Sequence, residues 1–308
     1  RAASQRSQHP RLRGSRPHPS LPERRTGPPC TRAAKSRRSP KARQNGWLRV
    51  CHSNRALKDA KAGVAEWNRF GANMEIIGRD QLERRSGTKA YHAGVLTPRG
   101  GAVQPMSMAL GLAKAAKQRG CTIYGRSAVT DIEKADRKWL VRTNDGGVTS
   151  DWVIVATNGY TGDLIPILSQ SIMPVTPIQI ATEPLPESVI GSVLPEGHTI
   201  SDSRRVIMYA RREPDNRMVY GSHGKMLPSG EIGGVDRLIK DAARVFPQLM
   251  GVDWTYKWGG RIAITDDHLP HLHEPQKGIL VGLGYNGRGV AMSNVMGRVM
   301  ADRVIGVD

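Results

Sequence analysis

The chain is short of cysteine, of aromatic residues and of long apolar runs. Three cysteines in 308 residues, Cys30, Cys51 and Cys121, are too few and too scattered for a disulfide framework or a zinc ribbon. A reducing, cytoplasmic location is the simplest expectation. No apolar run reaches the roughly 18 residues that a membrane-spanning helix needs. Acidic residues are almost missing from the start of the chain. Residues 1–49 hold 14 Lys and Arg against one acid, Glu23, a net +13 of the total +19. The remaining 259 residues hold 32 basic and 26 acidic residues, a net +6. The excess positive charge therefore belongs to a leading segment and not to the body.

That segment, residues 1–46, has almost nothing to bury. Its apolar side chains larger than Ala are Leu12, Leu21 and Cys30. Such a composition does not offset the entropy of ordering, so a disordered basic tail is expected. It lacks the apolar core of a secretory signal and the helical stripe of a transit peptide. An RNA-binding arm is an alternative, but no aromatics stand between the charges to stack on bases. Nucleic acid is not the expected partner. A reading from a shifted frame would also give this composition.

From Trp47 onward the pattern is that of a folded domain. Residues 54–69 predict a helix with Leu57, Val64 and Trp67 among polar residues, and a second short helix follows at 80–86. Residues 90–104 are Gly-rich, irregular or short strand. Pro105 opens a stronger helix in which Met106, Ala109, Leu110, Ala113 and Ala116 form one stripe and Gly120 supplies the stop. Strands are predicted at 121–124, 127–132, 138–143 and 148–156, with Asn144-Asp145-Gly146-Gly147 as the turn between the last two. The run Trp152–Ala156 has no polar alternation, as in a strand buried on both faces.

Residues 172–260 change character. Prolines, short alternating strands at 176–182, 205–210 and 217–221, and one helix near 234–246 predict an antiparallel sheet. An apolar strand, 278–283, then leads through Gly284-Tyr285-Asn286-Gly287-Arg288-Gly289 into a closing helix, 290–305. The order is that of an α/β domain interrupted by a β-rich insertion. In the Gly-rich turn, backbone N–H groups and the positive end of a helix dipole can face an anionic or electron-rich group. A tight helix-entry turn with no ligand reads the same way.

Four segments taken together carry more. RGGAVQPMSMALGLAKAAKQRGCTIYGRSAVTDI at 99–132, WVIVATNGYTG at 152–162, WGGRIAITDDHLPHL at 258–272 and GILVGLGYNGRGVAMSNVMGRVMADRVIG at 278–306 resemble the D-amino-acid oxidase-like FAD-dependent oxidoreductases. The likeness is greatest to the glycine/sarcosine oxidase and γ-glutamylputrescine oxidoreductase branch. It implies an α/β fold, with an FAD-binding Rossmann-like domain, incomplete at its N-terminus, and an inserted antiparallel β-rich substrate domain. The implied divisions are the tail at 1–46, a partial FAD-binding domain at 47–171, the substrate domain at 172–258, and the rest of the FAD-binding domain at 259–308. It also implies oxidation of a C–N bond in an amine or amino acid, with O2 or another acceptor taking the electrons.

The same resemblance implies site residues. Val129 would contact the adenine end of FAD. Ala156, Thr157, Asn158 and Gly159 would lie beside the dinucleotide. Gly284, Tyr285, Asn286, Gly287, Arg288 and Gly289 would lie over the flavin and stabilise negative charge on it. His223 and Arg261 are the candidate catalytic residues, Arg261 as a partner for a substrate carboxylate. No cysteine stands near 258–264, so the flavin would be non-covalent. No metal is expected, because the spacing of His268, His271 and His273 fits no zinc pattern.

The departures are as informative. The family's N-terminal strand, G-x-G-x-x-G turn and helix are missing, and residues 1–46 cannot form them. Ala291 and Met292 stand where sarcosine-type relatives carry a lysine. FAD binding is therefore the property most exposed to loss. Beside the enzyme reading stand an inert, N-terminally truncated or frameshifted member and a basic-tailed nucleic-acid-binding protein.

Overall fold

The computed structural model describes residues 42–307. The expectation for the leading tail lies outside the described residues for positions 1–41. Residues 42–46 join the fold: Arg43 and Ala102 exchange both backbone hydrogen bonds at 2.8 Å.

The first part of the chain runs β1 (Trp47–Cys51), α1 (Asn54–Asn68), β2 (Glu75–Gly78), α2 (Arg79–Ser86), β3 (Ala93–Thr97) and α3 (Pro105–Lys117). A meander follows, β4 (Val129–Ala135), β5 (Lys138–Thr143) and β6 (Gly146–Ser150), then β7 (Val153–Val155) and the short helix α4 (Pro166–Gln170). Next come β8 (Met173–Val175), β9 (Pro177–Ala181), α5 (Glu187–Ile190), β10 (Thr199–Asp202), β11 (Tyr209–Arg212) and β12 (Met218–His223). The ribbon β13 (Lys225–Met226) and β14 (Ile232–Gly233) leads to α6 (Val235–Val245) and β15 (Tyr256–Gly259). The chain closes with β16 (Ile262–Ile264), β17 (His271–Gln276), β18 (Ile279–Leu283) and α7 (Gly289–Val304).

Local chemistry sets several boundaries. The Ser53 hydroxyl accepts from Ala56 N–H at 3.2 Å and caps α1. Pro105 sits in the first turn of α3, and Gln104 Oε1 accepts from Ser107 N–H at 2.6 Å. Gly87 ends α2 with φ of 75°, and a Cβ there would overlap the Ser192 carbonyl. Only glycine serves that close approach.

The largest sheet has eight strands in the order β15-β9-β12-β11-β10-β1-β3-β2. Only the β1–β10 pair in it is parallel. Alternation decides its two faces. Leu48, Val50, Ile200, Met218, Tyr220, Ile178 and Ile180 point to one side. There they pack with Leu238, Ala242 and Val245 of α6. This sheet crosses the boundary expected at residue 172. Strands β1 to β3 join the β-rich unit because their apolar alternation pairs with β10, a partner some 150 residues away that local periodicity does not reveal.

A buried polar network ties this unit together. Arg204 holds Asp202 with its Nε and Asp241 with both terminal nitrogens, at 2.9 and 2.7 Å. Tyr220 donates to Asp241 at 2.6 Å and Tyr91 donates to Asp202 at 3.0 Å.

The second half of the architecture is thinner. Strands β17, β18 and β7 form a three-stranded sheet in which β7 and β18 are parallel. Against it, α7 packs Met296 and Met300 onto Leu280 and Tyr285. The meander β4-β5-β6 stands separately and contributes Trp139 to the core below β18.

The strand expected at 205–210 begins only at Tyr209. Three further expectations fail for one shared reason. Residues 121–124 form no strand, and Tyr124 is 71% exposed. Strand β7 is shorter than the predicted 148–156 run, which splits into β6 and β7, and Ile154 is 45% exposed instead of buried. Helix α3 forms as predicted but has no buried residue; Met106 and Leu110 are 64% and 63% exposed. Each of these segments carries the sequence of a buried layer, and among the described residues no further layer covers them.

Candidate functional site

The uncovered face of the eight-stranded sheet is set by register. Tyr209 lies opposite Gly221, Gly221 opposite Gln179, and Gln179 opposite Trp258. The next row runs Arg211, Val219, Ala181 and Tyr256. Trp47, Thr199 and Ser201 continue this face across β1 and β10. There the Trp47 indole N–H donates to the Ser201 hydroxyl at 2.9 Å. The face is thus aromatic and polar where its reverse is aliphatic.

A cavity of about 520 Å³ lies between this face and the start of α7. Trp47, Ser201, Tyr209, Arg211 and Val219 line one side, and Gly287, Arg288, Val290 and Ala291 the other. The segment from Arg99 to Val103 and Met108 complete the wall. Among the described residues, its only charged lining residues are three arginines, Arg99, Arg211 and Arg288. A smaller cavity of about 330 Å³ shares Arg211 and Val219 with it and runs on toward Glu213, Tyr256 and Trp258.

Two residues on the sheet are held for contact. The Tyr209 ring packs against Gly221, where a Cβ would overlap it and the Gln179 side chain. Burial pushes the Tyr209 hydroxyl up to about 12, so it is a proton-bearing donor at neutral pH. The Arg211 side chain is 18% exposed, and its Nε donates to Glu213 Oε1 at 2.7 Å. Its two terminal nitrogens have no hydrogen bond among the described residues. They are free to fork onto a carboxylate.

The Gly-rich turn is pinned from below. Asn158 Oδ1 accepts from Gly284 N–H at 3.0 Å. Asn286 Oδ1 accepts from Thr265 N–H at 2.9 Å. Gly159 packs so closely on Arg261 and Ile262 that a Cβ would sit 3.0 Å from their backbone. The turns at 156–159 and 284–289 and the segment at 261–265 therefore form one unit. Above it, at Gly287 and Gly289, there is open space. A Cβ would meet only Ile262 Cδ1 at 4.0 Å and Tyr285 Cδ2 at 3.7 Å. The glycine at 289 is therefore not required by close packing.

The expected site residues divide into groups. Gly287 and Arg288 line the cavity, with Gly289 at the same turn. Gly284 and Tyr285 are buried beneath it. Asn158 and Gly159 support it from the neighbouring turn, while Ala156 and Thr157 are exposed. Val129 is exposed at the start of β4 and does not line the cavity.

The two catalytic candidates lie outside the cavity lining. His223 ends β12 opposite Pro177, one row beyond Gly221, and its carbonyl accepts from Arg237. Arg261 is exposed, with its guanidinium 6.0 Å from the Tyr160 ring centre and its N–H donating to the Tyr160 hydroxyl at 2.8 Å. His271 and His273 stack at 5.3 Å, and His271 pairs with Asp267 at 3.1 Å. Among the described residues no three metal-binding side chains gather. The residues missed from sequence are Trp47, Ser201, Tyr209 and Arg211. Their signal is the period-2 spacing Tyr209-x-Arg211 opposite Val219-x-Gly221, which becomes visible only once β11 and β12 are paired.

Comparison with known proteins gives a consistent picture. The family described as FAD dependent oxidoreductase matches residues 23–303. The chain is 31% identical over 264 residues to the γ-glutamylputrescine oxidoreductase of Escherichia coli K12, covering 85% of this chain and 62% of that protein. It thus spans less than two thirds of that relative's length. It is 21% identical over 276 residues to the glycine oxidase of Geobacillus kaustophilus, covering 85% of this chain and 70% of that one. The crystal structure of glycine oxidase from Geobacillus kaustophilus superposes with a TM-score of 0.75 at 20% identity. It covers 90% of this chain and 75% of that one, and shows the shared fold.

Proposed function

The chain belongs to the FAD-dependent oxidoreductase family, and from that premise we propose that it oxidises the C–N bond of a carboxylate-bearing amine, that is, of an amino acid or an N-substituted one. One observation carries this reading: among the described residues, the cavity between the open sheet face and the Gly-rich turn has three arginines and no acid in its wall. A simple cationic amine would meet like charge there. A carboxylate would meet the forked terminal nitrogens of Arg211 and the Tyr209 hydroxyl. The relatives named above act on γ-glutamylputrescine and glycine by their names, and both molecules carry a carboxylate and an amine.

Bound flavin would supply the acceptor for the hydride. The chain's own residues do the rest. Arg211 and Tyr209 would anchor the carboxylate and so fix which C–H faces the turn at Gly287–Gly289. Trp47 and Val219 give that space an apolar wall. Such positioning is the larger part of what an amine oxidation demands, since no dedicated base is required once the amine is neutral. Arg261 and His223, offered by sequence as catalytic, do not line the cavity among the described residues, so the reading rests on Arg211 and Tyr209. The smaller cavity leaves room for the rest of the substrate toward Tyr256 and Trp258.

The residues present fit the flavin ring better than the dinucleotide. Open space above Gly287 and Gly289 suits the ring. For the diphosphate, no comparable Gly-rich cradle occurs among the described residues.

The test is a comparison of matched substrates with the flavin-reconstituted chain. N-substituted amino acids should be oxidised at least about tenfold faster than the same amines without the carboxylate, and Arg211→Met should erase that preference. Equal rates for both classes would refute the assignment.

A further inference from the structure

We propose that the smaller cavity, of about 330 Å³, is a subsite for a cationic side chain, in which Glu213 selects amino acids whose far end carries an ammonium or guanidinium group. The proposal rests on the reading of Arg211 and Tyr209 as the anchor of the substrate carboxylate.

Strand alternation sets the order of charge along the open sheet face. Tyr209, Arg211 and Glu213 stand two residues apart in the chain, and Arg211 and Glu213 line the same cavity. Two residues of extended strand span about 7 Å. Glu213 is therefore one such step from Arg211, on the side away from Tyr209. An amino acid with its carboxylate on the Arg211 fork can run its side chain along this face. An extended lysine or arginine side chain is long enough to bring its charged end to Glu213.

Glu213 has an oxygen to offer. Its side chain is only 13% exposed. Its Oε1 accepts from Arg211 Nε at 2.7 Å, and its Oε2 has no hydrogen bond among the described residues. A carboxylate oxygen so far withdrawn from water gains most from a charged donor. The arginines of the wall do not supply one. Arg211 is divided between Glu213 and the substrate carboxylate. Arg217 donates from Nε to Asp215 at 3.2 Å and from a terminal nitrogen to the Thr182 carbonyl at 3.2 Å, and it lies 3.0 Å from Glu183. Arg43 donates to the Arg212 carbonyl and does not line this cavity. Glu183, Glu213 and Asp215 thus stand against Arg211 and Arg217, and a bound carboxylate takes up the charge of Arg211. The aromatic side of the cavity suits the same ligand. The Arg217 guanidinium already lies 5.1 Å from the Tyr256 ring centre, and half-exposed Trp258 adds a second ring to that wall. Such ring faces attract cations. A neutral side chain would leave the Glu213 oxygen unmatched, and an acidic one would meet like charge.

Calorimetric titration of the full 308-residue chain with racemic lysine, racemic norleucine and pentylamine tests this. Lysine should bind about tenfold more tightly than norleucine, and norleucine more tightly than pentylamine, which is norleucine without its carboxylate. Glu213→Gln keeps an acceptor for Arg211 Nε and removes the charge, so it should bring the ratio of lysine to norleucine affinity down to about one. Equal binding of lysine and norleucine by the unchanged chain, with norleucine still ahead of pentylamine, would overturn the subsite and leave the carboxylate anchor intact. That comparison stands whether or not the variant folds. A lysine preference that survives Glu213→Gln would also overturn the proposal, because Glu213 would then act only by holding Arg211. Norleucine binding no more tightly than pentylamine, or no binding of any of the three by folded chain, would overturn the anchor and the subsite together.

Discussion

Asn158 and Gly284 are joined by one hydrogen bond of 3.0 Å across 126 residues of chain. Asn158 sits in the left-handed region at φ of 45°, a conformation asparagine tolerates better than most residues. Its carboxamide oxygen satisfies the N–H of buried Gly284, so the two turns beside the cavity cannot move independently. Asn158→Ala would leave that N–H unpaired and lose the residue type suited to the backbone. The expected cost is about 1–3 kcal/mol in denaturant unfolding, with Asn158→Asp losing less because it keeps the acceptor.

Gly221 exists to seat Tyr209. Gly221→Ala would push the ring off the sheet and into the cavity. Binding of a small carboxylate, followed by calorimetry, should weaken about tenfold, and the fold should survive with a loss of roughly 1–3 kcal/mol. Tyr209→Phe keeps the ring and removes only the hydroxyl, so its loss should be smaller.

Acid should unfold the chain through the Arg204 network. Burial alone would raise the Asp241 carboxyl, but hydrogen bonds from Arg204, Tyr220 and Arg244 outweigh it and hold the group far below the usual range. A carboxylate lowered in the folded state stabilises above its unfolded value near ~3.9 and loses that contribution as pH falls below it. Urea midpoints measured from pH 6 to 2 should drop steeply below about 4, and Arg204→Met should flatten the drop.

A second, milder pH effect should appear nearer neutrality. His198 is buried against Gly46, its Nδ1 has no hydrogen bond among the described residues, and burial lowers its affinity for a proton. Below the unfolded value near ~6.5 the unfolded chain takes a proton that the folded chain refuses, so stability falls with pH there. His198→Gln should remove the slope between about pH 6.5 and 5 in thermal melts.

The exposed stripe of α3 should drive self-association. Leu110→Lys changes a residue that touches no core, so the melting temperature should hold within about 2–4 °C. Light scattering at high protein concentration should fall relative to the unchanged chain. A cooperative loss of structure would mean that α3 is packed in solution.

Much of the local structure was legible in the sequence. Helices α1, α3, α6 and α7 lie within one or two residues of the spans their periodicity and caps predict. Each has its own start signal, such as Pro105, or its own apolar spacing. The Gly-rich turn at 284–289 was legible for the same reason, because its glycines and its following helix are contiguous. Strand 121–124 was not. Its apolar run reads as a strand, but a strand exists only when a neighbour takes its hydrogen bonds.

The sequence alone therefore determined the helices, the turns, the uneven charge and the resemblance to a flavoenzyme family, all carried by residues close together in the chain. The tertiary structure decided which residues meet. Tyr209 and Arg211 face Gly287 because β11 pairs with β12 and with β10, and a register set over many residues puts one alternate row on the cavity side. It also decided that α3 stands uncovered among the described residues and that β1 belongs with β10. Backbone pairing and side-chain burial are satisfied between segments distant in the chain, and local propensity carries no information about that partner.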